Sequence, residues 1–406
     1  VFYFPKFFHP DPTVKRQSGF LIPKLSDSNT LGSALSIPYF KVIAKNKDAT
    51  IKPRLYDKGA LLIQSEYREE RNKSSHIFDF SILSKKNLNF FEKGTRKSHF
   101  FSNSVFNYDF ENFQDSKIEL NIETTSNDTY LKTYKIKSPI IKKQTSLNSY
   151  VNLELNSEKT YLKTSFQSFE NLNKLKAERY EYIYPNIELL REIDLDPNNK
   201  GNLNFNLNGY QKKYNSDSYD AVLINNLEYE STDYIIKNGL KNKFNFLLKN
   251  VNTNGENSTA FKEDSSNKLL GTFIFESGFP LQKQGLKFNS FFKPLASFRY
   301  SPSETKNMTD NDRRIDISNI FANDRIGENS AVEGGQSLTL GTEYKLTDKK
   351  NSNEYLLFNL ATVLRDKKNP DLPIKSTIGE KTSDIMGSAK FKPNDIFNID
   401  YKFSLD

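Results

Sequence analysis

The residues able to do chemistry are few and scattered. Three histidines, His9, His76 and His99, stand in a chain with no cysteine. None is spaced as HxH or HxxxH, so no metal site is indicated. Disulfides and thiolate ligands are excluded by composition. No GxSxG elbow, P-loop or GxGxxG occurs. Carboxylates are abundant, 50 Asp and Glu in 406 residues, but without a fixed pairing they specify no hydrolase. The acidic run from Asp310 to Asp316 reads as a solvated loop, and Asn127-Asp128-Thr129 as a polar turn. Lys and Arg number 58, giving a mild excess of +8. They are scattered along strands and turns as a solvated face, so no nucleic-acid partner is expected. These residues point to no enzyme, no metal and no cofactor.

The elements that carry these side chains repeat with period two. Ile118, Leu120 and Ile122 alternate with Glu119, Asn121 and Glu123; Leu203, Phe205 and Leu207 alternate with asparagines. Leu338, Leu340 and Tyr344 alternate with Thr339, Gly341, Glu343 and Lys345, and the end of the chain repeats the pattern from Phe397 to Leu405. Each such segment is a strand with one apolar and one polar face. About sixteen to eighteen are expected, separated by turns rich in Asn, Asp, Gly, Ser and Lys. Convincing amphipathic helices are absent, and "FENLNKLKAERYEYIYPNIELLREI" reads as strand as well as helix.

Only 36% of residues are hydrophobic, yet 33 Phe and 21 Tyr are present. A polar chain with many aromatics suits one greasy and one wet face. No stretch approaches a membrane helix in length and apolarity. A membrane barrel, with apolar side chains outward and polar ones in the lumen, fits the same alternation. A soluble sandwich is the alternative. The Asn- and Glu-rich polar face and the number of strands favour the barrel.

Two regions depart from the alternation. Residues 1–37 are rich in proline and aromatics, and residues 301–336 form a long polar loop. Between them, "SIPYFKVIAKNKDATIKPRLYDKGALLIQSEYR" reads as an opening hairpin carrying Pro38 and Pro53. The first strand is expected from about Val42 to Tyr56, with Ala49, Ile51, Pro53 and Leu55 on one face and Asp48, Thr50, Lys52 and Arg54 on the other. A tight turn is expected at Asp57-Lys58-Gly59. Proline gives no donor to a ladder; read from the residues alone, Pro38 begins a strand and Pro53 marks a bulge.

This opening, "VFYFPKFFHPDPTVKRQSGFLIP" followed by "IPYFKVIAKNKDATIKPRLYDKGALLIQSEYR", resembles the LPS-assembly protein family, LptD. The matching residues include Pro5, Pro10, Arg16, Ser18, Gly19, Phe20, Leu21 and Pro23, then Pro38, Tyr39, Asp48, Ala49, Thr50, Pro53 and Arg54. A second resemblance lies in "ISNIFANDRIGENSAVEGGQSLTLGTEYKL", at Asn319, Phe321, Arg325, Glu333, Gly334 and Gly341. The resemblance implies an all-β chain: an antiparallel transmembrane barrel over 38–406, preceded over 1–37 by the end of a periplasmic jelly roll. It implies a junction at Pro5, Arg16, Ser18, Gly19, Phe20 and Pro23, and a lateral gate at Pro38, Tyr39, Asp48 and Pro53, where the prolines thin the seam between first and last strands. It implies lipopolysaccharide as cargo, insertion into the outer leaflet of the outer membrane, a plugging lipoprotein LptE in the lumen and a periplasmic bridge protein, LptA. The loop at 301–336 is expected at the outer mouth. The family barrel has more strands than are counted here, and the chain reads as an internal piece of a longer protein. A porin and a soluble surface adhesin are the alternative readings.

Overall fold

The computed structural model describes residues 16–27, 32–57, 59–84, 97–196, 200–261, 263–350, 352–394 and 396–406. Pro5, His9, Pro10 and Lys58 lie outside them. The chain divides into two compact units, Val1–Ile187 with Tyr210–Asp220, and Glu188–Gly209 with Ala221–Asp406. Strands dominate both.

The first unit opens with β1 (Gly19–Phe20), β2 (Lys24–Ser26), β3 (Ala34–Ser36) and β4 (Tyr39–Ala44). Longer strands follow: β5 (Lys47–Tyr56), β6 (Leu61–Arg71), β7 (Ser74–Ser84), β8 (Lys97–Tyr108) and β9 (Asp115–Thr125). A four-residue helix, α1 (Tyr130–Thr133), precedes β10 (Ser146–Asn156) and β11 (Thr160–Asn171). From β5 to β11 each strand pairs antiparallel with the next. The structure then runs through β12 (Tyr180–Ile193), β13 (Gly201–Tyr214) and β14 (Tyr219–Ser231).

The second unit continues with β15 (Tyr234–Ile235), β16 (Lys241–Glu256), β17 (Ser266–Gly278), β18 (Leu281–Gln284) and β19 (Phe288–Ser301). It ends in β20 (Gly335–Asp348), β21 (Glu354–Arg365), β22 (Ile385–Phe391) and β23 (Ile399–Leu405). Here too the ladders are antiparallel, from β16–β17 to β22–β23. Among the described residues no helix is long and apolar enough to cross a membrane.

Of these 23 strands, five have two to four residues. Such short pieces show no alternation, and the other eighteen agree with the upper end of the number expected from periodicity. The opening hairpin differs from its expectation. Residues 42–56 are not one strand: β4 turns at Lys45–Asn46 into β5. The apolar-polar alternation runs on across so tight a turn, so periodicity alone did not mark it. Gly59, with φ +78°, closes the next turn as expected. The boundary expected after residue 37 falls inside a sheet: β1 pairs with β4, and β3 and β4 both pair with β5.

Burial settles which face is wet. In the first unit Asp79 has no exposure and Ser165 none, whereas their neighbours Phe80 and Phe166 are 46% and 53% exposed. In the second, Asn245, Thr272, Ser297, Arg299, Ser337 and Thr339 are buried, while Phe244, Phe246, Phe273, Phe298, Tyr300 and Leu340 are exposed. This is the reverse of a soluble sheet, which hides its apolar face. It is the pattern of a barrel wall facing hydrocarbon.

Two connections cover the polar faces. In the first unit, residues 126–145 bring Tyr130, Leu131, Tyr134 and Ile136 against Leu62, Leu83, Phe101 and Leu147. In the second, residues 302–334 bring Met308, Ile315, Ile320 and Ile326 against Ala361, Val363 and Met386. Each fully buried side chain of this size contributes about 1.5–3 kcal/mol. Neither connection is the plain polar loop that its composition suggests.

If Phe166, in the middle of β11, faces hydrocarbon, Phe166→Arg will destabilise the protein folded in lipid vesicles by about 2–4 kcal/mol, and Phe166→Leu by much less. Urea titration of vesicle-bound protein measures both. Equal, small effects would show that this face meets water.

Candidate functional site

The junction residues and the gate residues of the sequence reading come together in one place. Arg16 pairs with the buried Asp48, whose other oxygen receives Arg68 Nε at 3.0 Å. The Ser18 hydroxyl accepts the Val42 N–H at 2.9 Å. Gly19 and Phe20 pair with Phe40 and Tyr39, and the Phe20 and Tyr39 rings meet edge to face at 5.0 Å. Thus the segment expected to lead into the hairpin lies alongside it as its neighbouring strand. Pro5 is outside the described residues.

The three prolines stand at one level of this ladder. Pro23 separates β1 from β2, and Pro38 separates β3 from β4. One register runs through β3 and β4 against β5, matching Ser36 with Arg54 and Tyr39 with Ile51. Continued across the gap, it sets Ile37 and Pro38 opposite Pro53 and Lys52, where no pairing forms. The Leu21 N–H reaches the Pro38 carbonyl at 2.8 Å and bridges the break. On its other side, Pro53 pairs in register with Ile63 of β6. The two outermost strands are therefore each interrupted, while β5 continues through its proline. Sequence reading placed Pro38 and Pro53 here. It grouped Pro23 with the junction, because β1 and β2 are too short to show a period.

The loop motif builds a second site, within the other unit. Arg325 is 1% exposed and lies under the connection 302–334. Its Nε and Nη2 donate to the two oxygens of Glu333 at 2.6 and 2.5 Å. Its remaining N–H groups reach Thr339 Oγ1 at 3.0 Å, Ser337 Oγ at 3.0 Å and the Ile320 carbonyl at 3.2 Å. Arg365 also pairs with Glu333 and gives a second bond to the Gly334 carbonyl at 2.7 Å. Arg299 donates to the Ala322 and Asn323 carbonyls at 2.6 and 2.7 Å.

The other motif residues shape the segment. Asn319 accepts the Asp316 N–H at 3.0 Å and donates to the Arg314 carbonyl at 3.2 Å. Phe321 packs over Gly341, where a Cβ would stand 2.6 Å from its ring. At Gly334 a Cβ would lie 2.3 Å from the Ser303 carbonyl oxygen, so only glycine fits. Sequence reading missed Arg299 and Arg365. Their parity on the strands marks them as polar-facing, but nothing in the sequence names their partner.

Burial by itself pushes the Glu333 carboxyl up, but the guanidiniums of Arg325, Arg299 and Arg365 outweigh it and hold the group well below the usual carboxylate range. One carboxylate is thus the shared counter-charge of Arg325 and Arg365, with Arg299 Nε at 4.0 Å. A buried charge of this kind is costly to leave without its partner.

The first unit has its own buried network. His99 meets Asp79 at 3.2 Å and Ser81 at 2.6 Å, and the Ser81 hydroxyl also meets the Tyr130 hydroxyl at 2.6 Å. Gln64 donates to Asp79 at 3.0 Å and to the Lys137 carbonyl at 2.9 Å. The order Ser–His–Asp is that of a nucleophile triad. Here the His99 and Asp79 side chains are sealed from solvent, and Tyr130 occupies the hydroxyl. The network fastens residues 126–145 to the wall. Of the other histidines, His76 meets Ser104 and Ser74, and among the described residues no group of His, Cys, Asp or Glu is arranged to hold a metal. Asn127 accepts the Thr129 N–H at 3.0 Å, a polar turn as expected.

An antiparallel sheet with apolar side chains exposed, polar ones covered and short turns between long strands defines the wall of a membrane β-barrel. The comparisons name it more closely. Residues 95–406 match the family described as LPS transport system D, and the chain belongs to that family, LptD. It is similar to the LPS-assembly protein LptD of Acinetobacter baylyi, 20% identical over 373 residues, covering 82% of this chain and 42% of that protein. It is 26% identical over 223 residues to the LPS-assembly protein LptD of Legionella pneumophila strain Paris, covering 52% of this chain and 26% of that one. A shorter match to the LPS-assembly protein LptD of Pseudomonas putida is 40% identical over 87 residues, 21% of this chain and 9% of the relative. The chain spans less than half the length of each of these relatives.

Replacing Glu333 with Gln leaves Arg325 and Arg365 side by side without a counter-charge, at an expected loss of about 3–5 kcal/mol. The native carboxyl is lowered, so its contribution is complete above the ordinary glutamate value of about 4.3 and fades as pH falls towards its native value. Urea midpoints against pH check this: the acid-side decline shrinks in Glu333→Gln. Proteolysis within 302–334 should accelerate in the same variant.

Proposed function

We propose that this chain forms part of the outer-membrane wall of a lipopolysaccharide-assembly protein, which delivers its cargo sideways through a weak join beside β1–β4. The observation that carries this reading is the row of Pro23, Pro38 and Pro53 at one level of the outermost ladders. Each proline withholds one donor. The loss is about 1 kcal/mol in ordinary surroundings, and several where a carbonyl is left unpaired in hydrocarbon. A wall that must stay shut has no use for three such losses side by side. A wall that must part there does.

The cargo's chemistry supports a lateral exit. Acyl chains resist a polar lumen, at about 0.8 kcal/mol for each CH₂ exposed to water. A charged saccharide resists hydrocarbon. A join that opens sideways lets the saccharide cross the wet interior while the acyl chains leave into the membrane. Lipopolysaccharide is then the substrate and the outer membrane the location, and the role is assembly rather than catalysis. A lipoprotein plug, LptE, in the lumen and a periplasmic bridge protein, LptA, upstream of an N-terminal jelly roll complete the reading.

Connection lengths support an orientation. In the second unit the long connections 302–334 and 366–384 follow alternate strands, β19 and β21, and so leave the same end of the sheet. The turn after β20 is short. In outer-membrane barrels the long loops are extracellular and the short turns periplasmic. On this reading the 302–334 segment lies at the outer mouth.

In the full-length protein, joint replacement of Pro23, Pro38 and Pro53 by alanine restores three donors and closes the ladders. Surface appearance of newly made lipopolysaccharide is expected to slow at least severalfold, since each recovered bond adds about 1 kcal/mol to closure. Unchanged export, with normal protein levels, removes the gate from these residues.

A further inference from the structure

A cleft of about 370 Å³ opens on the polar face of β7–β11, beneath residues 139–146. Neither the prolines nor the Glu333 cluster belongs to it. Its volume is in the lower part of the range for small-molecule sites. Its floor is a row of side chains that both give and accept hydrogen bonds. Asn103 Nδ2 donates to Glu119 at 3.0 Å and Asn121 at 3.2 Å; Asn121 Nδ2 donates to Glu123 at 2.9 Å; and the Tyr150 hydroxyl donates to Glu119 at 2.7 Å.

One wall is apolar, formed by Pro139, Ile140 and Phe169. Lys142 and Lys143 also line the cleft and both are exposed; Lys142 stands near enough to Glu123 to attract it, without a direct ion pair. A bare anion is excluded from the floor by Glu123, the one carboxylate among the lining residues. A purely apolar ligand would strip water from the amides and carboxylates. The chemistry that suits all three surfaces is a sugar with an anionic substituent. Its hydroxyls exchange hydrogen bonds with the floor, its C–H face lies on the apolar wall, and its charge meets the two lysines.

We propose that this cleft binds a hexose unit carrying a phosphate or similar anion. The proposal deepens the transport reading by giving the saccharide a holding place on the wall, but binding here does not depend on the join opening. The test is made in detergent on the full-length protein, without export, so that the two readings fail separately. Glucose 6-phosphate is the probe, with glucose and inorganic phosphate as comparisons, and saturation-transfer NMR on the unsubstituted protein is the first readout. Phe169→Trp supplies an emission reporter at the cleft wall; this chain has no tryptophan of its own, and emission from the unsubstituted full-length protein is subtracted.

Glucose 6-phosphate is expected to receive saturation and to shift the reporter's emission. Joint Lys142→Gln and Lys143→Gln, both on the surface, weakens it about tenfold, close to 1.4 kcal/mol, while glucose is little affected. Detergent-solubilised lipopolysaccharide that displaces the probe assigns the sugar to the lipid's headgroup; absence of displacement assigns it to a soluble sugar phosphate. No saturation transfer to any sugar overturns the proposal. So does inorganic phosphate competing as well as the sugar phosphate, or an unchanged affinity in the lysine variant.

Discussion

A strand in hydrocarbon has no water to satisfy its backbone, so every N–H and C=O must find its partner in the adjoining strand. The rest of this structure depends on that constraint. It requires the unbroken antiparallel ladders from β5 to β11 and from β16 to β23. It also explains why missing donors are informative. Pro23 and Pro38 interrupt the two outermost strands, and the Leu21 N–H bonds to the Pro38 carbonyl beside the gap. Here the missing donors of Pro23, Pro38 and Pro53 fall at one level of the strands.

The second constraint follows from the first. A sheet that turns its apolar side chains outward must gather its polar ones on the other face, and long connections cover part of that face in each unit. They are held there by different chemistry. Residues 126–145 are tied through neutral and singly charged groups around Asp79, His99, Ser81 and Tyr130. Residues 302–334 are tied by one carboxylate shared between Arg325 and Arg365. Such a buried ion cluster adds little net stability compared with apolar packing, but it tolerates few alternative arrangements. It fixes where the segment lies. The burial of Met308, Ile315, Ile320 and Ile326 supplies the attraction.

The polar face is not uniform, and this bears on what it can do. Near the lysine-lined cleft the amides of Asn103 and Asn121 form a row with Glu119 and Glu123. In the second unit, beneath 302–334, the polar face is sealed by guanidiniums. The first region keeps side chains that give and accept hydrogen bonds at an open cleft; in the second they are spent on one another. The segregation needs no change of fold, only a different choice of side chain at inward positions.

The sequence by itself determined the class of structure. Period two survives without tertiary information because alternate Cβ atoms of a strand point to opposite faces, so Ile118 to Glu123 or Leu338 to Lys345 declare both a strand and its two faces. The opening motif and the Asn319–Gly341 motif carried the family. Tertiary structure decided the rest. It divided residues 42–56 into two strands, because the alternation runs on across a tight turn. It joined Arg16 to Asp48 over 32 positions and Arg365 to Glu333 over the same distance. It set Pro23 level with Pro38, because register between strands depends on pairing and not on anything within one strand. Side-chain parity is local and legible in a single segment; which charge meets which is fixed only when the sheet forms.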